Sequence, residues 1–186
     1  MHSLIAIAIA REAYIFMYPA VENYRTLYDG VVVKEVFKIN ELVHDRKLFG
    51  PNDKLVVAPN NDTLYSKCFL NLRKGPAIFS VPAVTDNRYY SIQVVDGYTY
   101  NAAIWGSRTT GSDPEKFLIG GPTWDRKVPR NIKKWIKTES SLCFSSFKQE
   151  SMVLMIFQMP GRYKISTNFK PQALHCLTSF QLTSQS

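Results

Sequence analysis

The chain has 186 residues, a hydrophobic fraction of 45% and a formal net charge of +8. This length suits one domain, or one domain with an appendage, and the hydrophobic content allows a sizeable core. The cysteines (Cys68, Cys143 and Cys176) are odd in number and form no CxxC pair, and the three histidines lie far apart. The sequence therefore predicts neither a disulfide framework nor a metal site.

The positive charges are scattered except for one cluster, at Arg126, Lys127, Arg130, Lys133, Lys134 and Lys137. Such a cluster can bind phosphate, but it also suits a solvated loop and strand edge. Because no aromatic stacking pattern or nucleic-acid motif accompanies it, we expect no nucleic-acid partner.

The N-terminal part of the chain is predicted to be helical. An apolar run over residues 1–10 continues with helical periodicity, which predicts a helix over residues 3–28. The run lacks the basic start of a signal peptide and is too short to span a bilayer, so we expect no membrane partner and leave the localisation open. Pro19 should kink or divide the helix, and Asp29-Gly30 should end it. A shorter helical or irregular piece is predicted over residues 38–49.

From Leu55 the hydrophobic period changes to two, which is typical of β-strands. The predicted strands cover residues 55–58, 63–72, 76–81, 88–96, 99–105, 115–119 and 132–138. Glycine, proline, asparagine and aspartate separate them, and no helices intervene, which favours an antiparallel sandwich. The predicted fold class is α+β, mainly β, with a helical segment at residues 1–50 packed on a β-sandwich domain at residues 51–142.

The densest polar motif is Asn60-Asn61-Asp62-Thr63, which follows Pro59 and precedes a strand. Asparagine after proline can simply build a turn that starts the strand. Alternatively, Asp62 and an asparagine amide face a pocket with Tyr65 close by. Both interpretations remain open at this point.

Two further segments could contribute to a site. Alternation along residues 88–98 places Tyr90, Ile92 and Val94 on one face of a strand, with core packing favoured for one tyrosine. The loop Gly106–Gly111 contains Arg108 and three hydroxyl side chains, and it could hold an anion or form an ordinary turn. No nucleophile elbow, HExxH or dinucleotide fingerprint is present, so no cofactor is predicted.

Several motifs in order closely resemble the family called domain of unknown function 1254. They are residues 12–19, Tyr24-Arg25, residues 59–66, Arg88–Gln93, Asp96-Gly97-Tyr98 and Gly106–Gly111, which together cover about residues 8–140. The resemblance implies a helical segment and an immunoglobulin-like β-sandwich, usually joined to a second, jelly-roll-like all-β domain. It implies no established reaction or cofactor, and we expect that second domain as a missing partner of this chain.

Residues 143–186 depart from the motifs of the family. With a single-base shift in reading frame from about residue 142, permitted codons allow residues 152–164 to read as the kind of sequence that the family has there, and the three residues that the shift fixes regardless of codon choice fit. We therefore hypothesise a frameshifted, poorly ordered tail and a truncated sandwich that is incomplete at its C-terminus, which sequencing of the transcript would test.

Three functions are compatible with these features. The first is a small-molecule-binding module for a polar or anionic ligand. The second is an enzyme that uses Asp62 as general acid or base and Arg25 or Arg108 as anion holder. The third is a structural domain that supports an absent partner domain. The candidate ligand-binding residues are Tyr24, Arg25, Asn60, Asn61, Asp62, Tyr65, Tyr90 and Arg108.

Overall fold

A computed structural model describes residues 2–53, 59–84, 88–149 and 156–158, which form one N-terminal helix and two β-sheets. The helix α1 covers His2–Tyr28 and continues into a π-helical turn, Asp29–Val33. The strands are β1 (Val43–His44), β2 (Leu64–Asn71), β3 (Ala77–Val81), β4 (Tyr90–Val95), β5 (Asn101–Gly106), β6 (Glu115–Gly120), β7 (Lys134–Lys137), β8 (Leu142–Gln149) and β9 (Ile156–Gln158).

The helix α1 agrees with the predicted range of residues 3–28 within one residue. It runs through Pro19 as one helix of 27 residues, so the proline does not divide it. Its α-helical part ends at Tyr28, and the Lys34 amide then donates to the Asp29 carbonyl over 2.8 Å. Gly30 lies against the Phe37 ring, where a Cβ atom would have no room.

The first sheet has the strand order β1-β2-β8-β4-β5 and is antiparallel throughout. β8 lies at its centre and pairs with β2 over eight residues and with β4 over six. The sheet therefore crosses the boundary that the sequence analysis drew between residues 142 and 143, since β8 begins at Leu142. Apart from residues 156–158, the chain beyond Gln149 lies outside the described residues.

The second sheet has the order β7-β6-β3-β9 and packs on the first through the main core. Phe79 of β3 and Phe147 of β8 meet there with ring centroids 4.7 Å apart. Trp105 of β5 stacks on Phe117 of β6 at the same spacing. Such aromatic pairs bury large apolar areas, so they join the two sheets.

The outer face of the first sheet carries the end of α1. Leu27 packs there with Phe37 and Phe69 in a second, smaller core cluster. The Asn23 side chain donates to the Asp96 carbonyl over 2.8 Å, and the rings of Phe16 and Tyr98 lie 5.3 Å apart. These contacts attach the helix at the end of the sheet where β4 finishes.

The predicted fold class, α+β and mainly β, is confirmed. Strands form at the predicted positions that the structure describes, whereas residues 55–58 lie outside the described residues. Of the two alternatives for residues 38–49, the helical one is wrong and the irregular one agrees with the structure, in which β1 and a bridge between Ile39 and Phe69 attach the segment to β2. The parallel pair β6–β7 makes the second sheet mixed. The immunoglobulin-like topology and the C-terminal incompleteness stay predictions.

Candidate functional site

Three of the sequence motifs meet at one end of the first sheet. β2 and β4 begin at this end, and the antiparallel strands β8 and β5 finish there, so Leu64, Gln149 and Tyr90 lie in one row across the sheet. Ser91 in the next row pairs with Gly106. We call this region, formed by residues 59–65, 88–91, 106–111 and 148–149, the motif end of the sheet.

At the motif end, Asn60 forms a turn that starts β2. Its Oδ1 accepts a hydrogen bond from the Asp62 amide over 2.9 Å, and its Nδ2 donates to Thr63 Oγ1 over 2.9 Å. This is the turn geometry that asparagine favours, and it supports the structural interpretation of Asn60. Asn61 and Asp62 are exposed at the surface of the same turn.

The loop Gly106–Gly111 is held in place by Tyr90. The Tyr90 side chain is only 1% exposed, and its hydroxyl donates to the Gly111 carbonyl over 3.0 Å. The Ser107 amide donates to the Tyr90 carbonyl over 3.1 Å. A Cβ atom at Gly106 would collide with that same carbonyl oxygen, which explains the glycine there. Tyr90 therefore packs in the core, as the alternation along residues 88–98 favours, and its hydroxyl and carbonyl hold the loop in place.

The loop presents Arg108 to solvent. Its guanidinium carbon lies 5.7 Å from the centre of the Tyr89 ring, a cation–π distance that orients the charged group beside β4. Arg108 is exposed, in contrast to Tyr90 beneath the loop. The loop consequently places a positive charge at the rim of the motif end.

The outer face of the sheet adds Lys148, which the sequence analysis did not select. Lys148 lies opposite Tyr65 on one side and Ser91 on the other, and its Nζ is 5.7 Å from the centre of the Tyr65 ring. It was missed because residues 143–186 were treated as an atypical tail. Residues 142–149 show no clean apolar alternation, since Ser145 and Gln149 point inward and Phe144 outward, so the hydrophobic period gave little signal for this strand.

Lys67 occupies a largely buried position beside Tyr65. Its side chain is 12% exposed and its Nζ forms an ion pair with Asp45 Oδ2 at 2.6 Å. The same amine lies 4.7 Å from the centre of the Phe49 ring and 5.9 Å from that of Tyr65. This charge is already compensated by Asp45 and the rings, so Lys148 and Arg108 are better placed to meet a ligand.

His44 and Ser66 form a pair on the core side of β1 and β2. His44 Nδ1 lies 2.7 Å from Ser66 Oγ, within hydrogen-bonding distance. Burial lowers the pKa of His44, Arg46 lowers it further, and Asp45 opposes them, so the neutral ring is favoured. Ser66 is fully buried, which denies a substrate access to its hydroxyl.

Tyr24 and Arg25 lie on the exposed side of α1, away from the motif end. The Tyr24 ring contacts that of Tyr28, and Arg25 forms an ion pair with Glu22 at 2.8 Å. Asn23 next to them bonds to Asp96, at the opposite end of β4 from Tyr90. The six residues of β4 span about 20 Å, so the structure does not bring these two residues to the other candidates.

The described residues offer no constellation for a metal ion, since they contain no group of three or more His, Cys, Asp or Glu side chains suited to hold one. Burial raises the pKa of both Cys68 and Cys143, so these thiols are protonated at neutral pH and are poor ligands or nucleophiles. Cys176 lies outside the described residues.

The architecture defines a mainly-β protein of two packed sheets with an N-terminal helix. The sequence profile of the family described as "Protein of unknown function (DUF1254)" matches residues 39–163, about two-thirds of the chain. The chain belongs to this family, as the resemblance suggested. The matched range begins after the motifs on α1 and continues past residue 142, so it includes β8.

Among solved structures, the chain is similar to the VPA0106 protein from Vibrio parahaemolyticus, with a TM-score of 0.64 and 25% identity. The similarity covers 78% of this chain and 33% of that protein, so the chain spans about a third of the length of this relative. A putative uncharacterized protein from Burkholderia cenocepacia is similar with a TM-score of 0.46 and 10% identity, over 64% of this chain and 34% of that one. The search of curated proteins found no match.

Proposed function

We propose that this protein binds a small, polar, anionic molecule at the motif end of the first sheet. The supporting observation is the convergence there of three separate motifs, from the start of β2, the start of β4 and the loop after β5. Side chains from distant parts of the sequence meet on rigid strands, which is the usual construction of a binding site.

The charges at the motif end suit an anion. Arg108 is exposed at the rim, and Lys148 lies on the outer face of the sheet beside Tyr65. A guanidinium binds a carboxylate or phosphate through two parallel hydrogen bonds, and an ammonium adds a point charge. Asp62 on the neighbouring turn can accept a hydrogen bond from a hydroxyl or amine of the same ligand.

Isothermal titration calorimetry with inorganic phosphate, succinate and citrate tests this proposal. We expect saturable binding of at least one anion, weakened about tenfold by either Arg108→Ala or Lys148→Ala, because each substitution removes one charged hydrogen bond. The matched control is Lys134→Ala, which removes an exposed lysine from the second sheet. Binding that survives both site variants, or that the control weakens equally, would contradict the proposal.

A structural role is the second candidate. The chain matches only 33% of the VPA0106 protein, which supports the idea that the family's β-sandwich works beside a further domain. In that case the candidate residues serve the fold and the interface with that domain. The same titrations discriminate between the two functions, since a purely structural unit gives no saturable heat with any of the three anions.

A further inference from the structure

The N-terminal half of α1 is exposed to solvent, and its first described contact with the sheets is that of Phe16 with Tyr98. Residues 3–18 are all exposed, including Leu4, Ile5, Ile7 and Ile9 at 55–71%. None of the most apolar stretch of this helix is buried in the described structure. Exposed apolar surface of this extent normally marks an interaction site.

The distribution of the apolar side chains indicates what covers them. Residues 4–10 are consecutive, apolar and exposed, and successive residues of a helix are rotated by about 100°, so every side of the helix is apolar. A protein groove covers one face of a helix, whereas a helix that is apolar all round suits a hydrocarbon environment. The helical segment Ser3–Val33 is also long and apolar enough to cross a membrane.

The polar features are compatible with the same environment. Arg11 and Glu12 are adjacent and opposite in charge, and Tyr14 and Tyr18 follow at one helical turn from each other. Tyrosine is enriched where a membrane meets water, because its ring is apolar and its hydroxyl is wet. The formal net charge of +8 is complementary to an anionic lipid surface, which attracts nearby lysine and arginine.

We propose that the N-terminal half of α1 inserts into an anionic lipid bilayer and anchors the protein there. Leu4–Ala10 enter the hydrocarbon core of the bilayer. The two sheets, which follow Tyr28 in the sequence, stay in the water outside it. This differs from the expectation of no membrane partner, which considered only the apolar run at residues 1–10. The sequence already predicts a helix over residues 3–28, and the structure adds that residues 3–18 of this helix are exposed.

Vesicle flotation of the purified 186-residue chain tests the anchor. The vesicles contain equal parts of phosphatidylcholine and phosphatidylglycerol. The amounts of protein in the pellet and in the floating fraction are compared with and without about 1 M sodium chloride, which screens charges beyond about 3 Å. The test variant is Ile5→Glu/Ile9→Glu. The matched control is Ile104→Glu, because Ile104 on β5 is 52% exposed and Ile5 is 55% exposed.

We expect the unmodified chain and Ile104→Glu to float in both salt conditions. Ile5→Glu/Ile9→Glu should lower the partition coefficient by about a hundredfold or more, since two side chains leave the hydrocarbon and two charges oppose entry. Circular dichroism checks that the double variant is folded, as expected for a change at exposed positions.

Four results would overturn the anchor. Flotation that is equal for the double variant and the unmodified chain excludes insertion of this helix. Flotation that salt abolishes indicates adsorption through charge alone. Failure of the unmodified chain to float, with a dimer that the double variant loses, indicates a second copy as the occupant. In cells, a mature N-terminus beyond residue 18 would identify the helix as a removable leader and also exclude the anchor.

Discussion

Replacing Asp45 by asparagine should destabilise the protein by leaving Lys67 without its counter-ion. The two side chains are 24% and 12% exposed, and their charged atoms are 2.6 Å apart. The Phe49 ring lies 4.7 Å from the lysine amine and restricts its access to water. An unpaired ammonium in such a position loses Coulomb attraction without regaining full hydration.

The expected loss of stability follows from the partial burial of the ion pair between Asp45 and Lys67. Breaking a fully buried ion pair from one side costs about 3–5 kcal/mol, and exposed pairs contribute about 0–1 kcal/mol. Asp45 and Lys67 lie closer to the buried case, so we expect Asp45→Asn to lower the free energy of unfolding by about 2 kcal/mol. For a chain of this size this corresponds to a Tm decrease of about 4–8 °C.

A double-mutant cycle with Lys67→Met separates the pair from its surroundings. Methionine keeps an unbranched apolar side chain between the rings but carries no charge. In that background Asp45→Asn should cost much less, because no buried ammonium remains to be compensated. Urea unfolding of the four proteins gives the coupling energy. A loss below about 0.5 kcal/mol, or the same loss with and without Lys67, would refute the reasoning.

Three further predictions concern the motif end and its neighbours. Tyr90→Phe should lower the free energy of unfolding by about 1 kcal/mol, because the hydroxyl donates to the Gly111 carbonyl; an unchanged urea midpoint would contradict this. Gly106→Ala should lower the free energy of unfolding more than Gly111→Ala in the same assay. A Cβ atom at Gly106 meets the Tyr90 carbonyl, whereas Gly111 (φ +80°) has open space. Equal decreases for the two variants would count against a steric cause. The free energy of unfolding should fall as pH decreases below about 6.5, because the unfolded chain binds a proton at His44 that the folded state disfavours. His44→Asn should reduce the slope of the free energy of unfolding against pH. An unaltered slope would assign the pH dependence to other groups.

The elements predicted best from the sequence are those with a local signal. The helix over residues 3–28 and the strands between Leu64 and Lys137 follow from hydrophobic period and turn residues, and the structure has them within a few residues. Within residues 38–49 the irregular alternative was correct but β1 was missed, because β1 depends on a pairing with Lys67 and Ser66 that lies more than twenty positions away. Pairing between strands that are far apart in the sequence gives little local signal within a segment of twelve residues such as 38–49.

The sequence selected only some of the residues that lie together at the motif end, because strand pairing over long sequence distances gives little local signal. Asn60, Asp62, Tyr65 and Arg108 were selected from local motifs, and they lie at the motif end because β2 and β4 flank β8 and β5 pairs with β4. Tyr24 and Arg25 were grouped with them through a family resemblance, which carries no information on distance. Only the packing of α1 on the Asp96 turn reveals that they lie near the other end of β4.

The central position of β8 restricts where a shift in reading frame can begin. Its inward side chains, including Phe147, fill the core between the sheets, while Phe144 on the other face packs against Phe69. A translation in the wrong frame has no physical reason to produce eight residues that alternate in register with two neighbouring strands. The family match also continues to residue 163. Both observations disfavour a shift that begins near residue 142, and the matched range also includes residues 152–163, from which the shift was inferred. The frameshift itself stays a prediction, which sequencing of the transcript would test.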